Sequence, residues 1–140
     1  MTISGALNAY LKSKATLTAL TDTRIYPDAA PQDVTTFPVL VHRRVDGDET
    51  PYLSGEANDL HRDTFELEVI GPVRDDCDAV CDVLLTLFAG ITPRGMWHST
   101  IFVSGCIPSR TSTTTEPPVD ASERRDRESS VSLTVIWGRR

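Results

Sequence analysis

Seven residues close to the C-terminus, Val131-Ser132-Leu133-Thr134-Val135-Ile136-Trp137, set an apolar side chain at every second position with Ser and Thr between. Successive side chains of a strand point to opposite faces, so such a segment buries one face and leaves the other polar. The same alternation runs from about Arg62 to Ile70, with Phe65, Leu67 and Val69 turned in and Thr64, Glu66 and Glu68 turned out. Phe37 to Val45 reads as a further strand, with Phe37, Val39 and Val41 on one side and Leu40, His42 and Arg44 on the other. A strand is also expected from Trp97 to Ile107, placing Ile101 and Val103 opposite Phe102.

One-sided strands need a cover, and two helical stripes supply it. Ile3, Ala6, Leu7, Tyr10 and Leu11 recur at helical spacing, with Thr2 or Ser4 placed to cap the helix. Cys77, Val80, Cys81, Leu84, Leu85 and Phe88 form a second stripe, opposed by Asp75, Asp76, Asp78 and Asp82 and stopped by Gly90. A short helical turn is expected around Leu17 and Leu20. Pro27 and Pro31 then interrupt helix formation before the first strand.

The expected fold is therefore α+β: a mostly antiparallel, possibly mixed, four-stranded sheet with two main helices on one face, in the order α-β-β-α-β-β. The exposed sheet face would carry His42, Arg44, Glu66, Glu68, Ser132 and Thr134. Two segments read as long loops. Asp46 to Leu60 is rich in turn formers and acids, and Pro108 to Ser130 has no large apolar residue except Val119. With 140 residues, one domain spanning 1–140 is expected, large enough to bury roughly 68% of its unfolded surface.

Chemistry-bearing motifs are absent from the sequence. No phosphate-binding glycine loop occurs, and no nucleophile elbow surrounds a serine. His42, His61 and His98 are scattered, and Cys77 and Cys81 sit on the apolar stripe, where core packing is the simpler reading. Asp46-Gly47-Asp48-Glu49 lacks the layout of a calcium loop. No catalytic residue, cofactor or metal site is expected, so the chain does not read as an enzyme. Three cysteines without an export signal favour reduced thiols. No apolar run approaches the ~20 residues of a membrane helix. A net charge of −6 argues against binding nucleic acid by counterion release, although it suits a wall that DNA slides past.

Short landmarks in order give the chain a family likeness: Arg24-Ile25-Tyr26-Pro27, Ala30-Pro31-Gln32, Phe37-Pro38-Val39 and the closing Leu133 to Trp137. The chain resembles the tail-completion proteins of long-tailed bacteriophages, a family akin to tail terminators and tail-to-head joining proteins. The resemblance implies a structural protein of the virion, located at the tail–neck region and assembled in the host cytoplasm. It implies a self-assembled ring, a homohexamer, that caps the tube of the major tail protein, ends its growth and meets the head connector while DNA passes through. The alternatives are a head-completion stopper or adaptor on the portal side, and a small ligand-binding domain. The region Pro108 to Ser130 is longer and more polar than the family pattern. The two long loops are the expected assembly segments, with Asp46, Asp48, Glu49, Tyr52, Arg110, Arg124, Arg125 and Arg127 as candidate interface residues. The Arg24 to Gln32 connector reads as a strap that tucks Ile25 and Tyr26 against the core.

Overall fold

The side-chain hydroxyl of Thr2 accepts from the Gly5 amide at 3.0 Å and so starts the first helix, α1 (Ile3–Lys12). The computed structural model describes residues 2–49, 60–89, 95–98, 101–110, 114–115 and 127–139. The chain continues through α2 (Ala15–Thr21), β1 (Ile25–Pro27), β2 (Val39–Glu49), β3 (Leu60–Gly71), α3 (Arg74–Phe88), β4 (Gly95–His98), β5 (Ile101–Arg110), β6 (Thr114–Thr115) and β7 (Arg127–Arg139). The α+β class agrees with the expectation. The expected four-stranded sheet is corrected to seven strands among the described residues, and the helical turn at Leu17 is a seven-residue helix.

The sheet runs β1-β2-β3-β7-β5-β4, and β6 pairs with β7 beyond the end of β5. All pairings are antiparallel except β1 with β2, which makes the sheet mixed. The added strands are short. β1 is three residues at the sheet edge, where the missing amide of Pro27 costs no ladder bond. The segment read as one strand from Trp97 to Ile107 is a hairpin, β4 followed by β5.

Both loops are shorter than expected. Asp46 to Glu49 continues β2, pairing with Thr64, Asp63, Arg62 and His61, and Leu60 already belongs to β3. Pro108 to Arg110 completes β5, Thr114 and Thr115 form β6, and Arg127 to Ser130 opens β7. Ladder bonds to strands already fixed on the core outweigh the weak strand preference of Asp, Gly and Pro here.

The core lies between the helices and one sheet face. Phe65, Leu67 and Val69 of β3 and Val131, Leu133 and Val135 of β7 are fully buried against Leu7 and Leu11 of α1 and Val80, Leu84 and Phe88 of α3. The β2 orientation corrects the expectation. Leu40, His42 and Arg44 are the cross-strand partners of Val69, Leu67 and Phe65 and share their helix-covered side, while Arg43 stands on the other face beside Glu66. His42, expected on the open face, is 2% exposed.

A bulge in β5 between Val103 and Gly105 resets the alternation. Ile101 and Val103 face the core before it. After it, Cys106 and Arg110 share a side with Val135 and Val131, and Ile107 is left 58% exposed.

Candidate assembly surface

Arg110 shows how the fold uses a residue that the sequence offers as an assembly contact. The bulge turns it toward α3, where its Nη2 lies 2.6 Å from Asp78 Oδ1 and its Nη1 3.7 Å from Asp82. Arg74 approaches Asp78 from within the helix at 3.6 Å. Arg110 is thus an internal tie between β5 and α3. Arg127 lies on β7 between Gly71 of β3 and Thr115 of β6. The backbones of Asp46, Asp48 and Glu49 lie on β2, so the structure does not gather them with Arg110. Tyr52, Arg124 and Arg125 fall outside the described residues.

The sequence reading did not foresee the burial of Asp63, His42 and Glu68. Asp63 is 2% exposed on the core side of β3, accepting from Trp137 Nε1 at 2.6 Å, with Arg44 Nη2 2.6 Å from its second oxygen. The period of Phe65, Leu67 and Val69, extended two residues back, points Asp63 inward and could have found it. His42 Nε2 donates to Asn8 Oδ1 of α1 at 2.9 Å. Burial holds the His42 ring below its ordinary value, with Asp28 pulling upward and Lys12 downward by smaller amounts. Arg43 pairs with Glu68 and lies 3.9 Å from Glu66 on the open face.

These groups act as ties between elements. Burial pushes the Cys81 thiol up to about 11 and that of Cys106 to about 12, which disfavours the thiolate that nucleophilic or metal chemistry requires. Among the described residues no group of three or more His, Cys, Asp or Glu is placed to hold a metal ion. Among them, too, no helix is long and apolar enough to cross a membrane.

The proline connector is a bound strap. Leu40 donates its amide to the Arg24 carbonyl at 3.0 Å, and Asp28 donates to the His42 carbonyl at 2.9 Å. Arg24 Nε adds a bond to the carbonyl of Pro38 at 3.1 Å, just past a cis Phe37–Pro38 peptide. Ile25 is 1% exposed and Tyr26 is half-buried. Between the segment that follows this strap and the start of α3 lies a groove lined by Thr36, Phe37, Pro38, Pro72, Val73 and Asp76.

The strap, β2, β3 and α3 also carry the sequence match. The profile of the family described as Tail completion protein gp17 matches residues 5–92, well over half of the chain. The chain belongs to the tail completion protein gp17 family. The matched span takes in Arg24 to Pro27, Ala30 to Gln32 and Phe37 to Val39, and stops before the closing strand. A comparison with curated proteins finds no match. Among solved structures, a chain from the "Virion of native gene transfer agent (GTA) particle" superposes with a TM-score of 0.61 at 17% identity, over 97% of this chain and 95% of its own. It shares the fold of this tail completion family member. A second solved chain aligns over 97% of this chain and 94% of its own at 14% identity, with a TM-score of 0.43.

Proposed function

We propose that this chain is a structural protein of a phage or prophage-derived particle that caps the tail tube as a ring, ends tube growth and forms the joint to the head connector. Membership of the tail completion protein gp17 family carries the reading. The fold shared with a chain of a gene transfer agent virion is consistent with it. The chemistry of the chain also fits a building block: an ion pair on the buried Asp63 and hydrogen bonds tie strand to strand and strand to helix, and the Cys81 and Cys106 thiols are held protonated.

The partners in this reading are further copies of the chain, the major tail tube protein and a head-completion or connector protein. Six copies at −6 each would carry −36 formal charges, a wall that repels rather than holds passing DNA. An interface of ordinary size takes about 800 Å² from each partner.

The deciding experiment removes the gene from a producing phage or prophage and examines the particles by electron microscopy. Tubes of irregular length without heads, restored to capped, joined tails by the gene in trans, are expected. Normal joined tails overturn the reading. Tails of normal length beside heads that leak DNA move the chain to the portal side.

A further inference from the structure

The groove beside α3 lies next to the Arg24–Pro38 tie and opens outward between the start of β2 and the first turn of α3. It holds about 300 Å³, with Phe37 and Pro38 on one side and Pro72, Val73 and Asp76 on the other. Val73 is 49% exposed at its rim. Asp75 and Asp76 stand exposed in the first turn of α3, and among the described residues neither is ion-paired. The groove mixes apolar and polar lining, with Phe37, Pro38, Pro72 and Val73 beside Thr35 and Thr36, and Asp76 at its lip.

The complementary surface lies at the far end of the same helix. Residues 1–21 hold both lysines of the chain, Lys12 and Lys14, and no acidic residue. They flank the corner where α1 gives way to α2, and Lys14 Nζ sits 4.5 Å from the centre of the Tyr10 ring. Tyr10 in turn packs against Phe88, the last residue of α3, with ring centres 5.8 Å apart. At 1.5 Å per residue, the 15 residues of α3 span about 20 Å. Basic corner and acidic groove are therefore held a helix length apart and cannot meet within one chain.

We propose that the Lys12–Lys14 corner of one copy seats on the Phe37–Val73–Asp76 groove of the next, head to tail. Two complementary patches at opposite ends of a protomer make a heterologous contact, which repeats around a ring rather than closing a two-fold dimer. Exposed ion pairs are individually weak, so burial of Phe37, Pro38, Pro72 and Val73 contributes affinity while the charges set orientation and partner choice. The inference rests on the ring reading above and names the contact that builds the ring.

Zero-length carbodiimide coupling tests it directly, because the chain has only two lysines. Full-length protein, half ordinary and half nitrogen-15-labelled, is assembled on tail tubes, coupled and digested. Mixed-isotope peptides joining Lys12 or Lys14 to Asp75 or Asp76 are expected. The K12E/K14E and D75K/D76K variants should each assemble at least tenfold less well, and the fourfold variant combining both should recover. Circular dichroism checks that the variants fold, and the coupling of the unaltered chain decides the matter if one does not. Rings without these mixed-isotope links, or single-side variants that assemble normally, overturn the contact and leave the ring reading standing. Complete, joined tails in particles that lack the chain overturn both.

Discussion

Trp137 Nε1 on β7 donates to Asp63 Oδ2 on β3 across 2.6 Å, and Asp63 is 2% exposed. The indole also stacks on His61, ring centres 4.5 Å apart, so this residue carries both a packing and a polar tie across one strand pair. The Arg44 guanidinium on β2 reaches the second carboxylate oxygen and extends the tie over three neighbouring strands.

Asp63→Ala should therefore destabilise the fold by about 1–3 kcal/mol, mainly because the buried indole N–H loses its acceptor. The share of Arg44 is small, since its side chain is 53% exposed and water replaces the carboxylate. Asp63→Asn keeps an acceptor oxygen and should cost less than the alanine change. Urea titration followed by tryptophan fluorescence checks the order. Wild-type midpoints for both variants would show that the contact contributes nothing.

The His42–Asn8 contact predicts a pH dependence of definite sign. The folded state binds a proton at the ring less readily than the unfolded chain, because burial outweighs the attraction of Asp28. The stability that His42 contributes is complete above the unfolded value of about 6.5 and is lost as pH falls through it toward the lowered folded value. Urea midpoints should drop between pH 7 and pH 5.5. His42→Gln retains a donor for Asn8 without titrating, and its midpoints should fall less over that range. Parallel curves for the two proteins would refute the assignment.

His42 also marks where the sequence was hard to read. Val39, Leu40 and Val41 are consecutive and all buried, so the alternation that orients β3 and β7 gives no phase for β2. The register with β3 settles it, and that is a tertiary fact. The helical stripes of α1 and α3 and the inward set Val131, Leu133, Val135 and Trp137 were legible because each follows one uninterrupted period. The outward turn of Ile107 was not, because a single extra residue in β5 inverts every later position. The same inversion brings Arg110 to Asp78 of α3, a pairing no local pattern signals, and the groove beneath Phe37 likewise joins positions more than thirty residues apart in sequence.

Gly71 ends β3 against the start of α3, and a Cβ placed there would lie 3.2 Å from Cys77 Sγ and 3.6 Å from Phe37 Cβ. Gly71→Ala should cost about 1–2 kcal/mol through overpacking. The sulfur is the closest obstacle, so the same change in a Cys77→Ala background should cost under about 0.5 kcal/mol. A double-mutant cycle from urea midpoints measures the coupling. Equal costs in both backgrounds would mean that the thiol moves aside freely.

The segment between β6 and β7 offers a test of function separated from folding. Thr115 and Arg127 are directly paired across the antiparallel ladder, so the two described positions that flank residues 116–126 lie opposite each other. A two-residue Asn-Gly turn can join such a pair, because its backbone twist matches that of the strands it connects. Replacing residues 116–126 with Asn-Gly should keep the thermal midpoint within a few degrees, since the long pairings of β7 with β3 and β5 are untouched. If the segment carries the contact to the tube or the connector, the shortened protein folds and yet fails to restore tail completion in the deletion strain. Full-length joined tails and normal infectivity from that variant would remove the segment from the assembly surface and leave the groove and lysine corner as the contact to pursue.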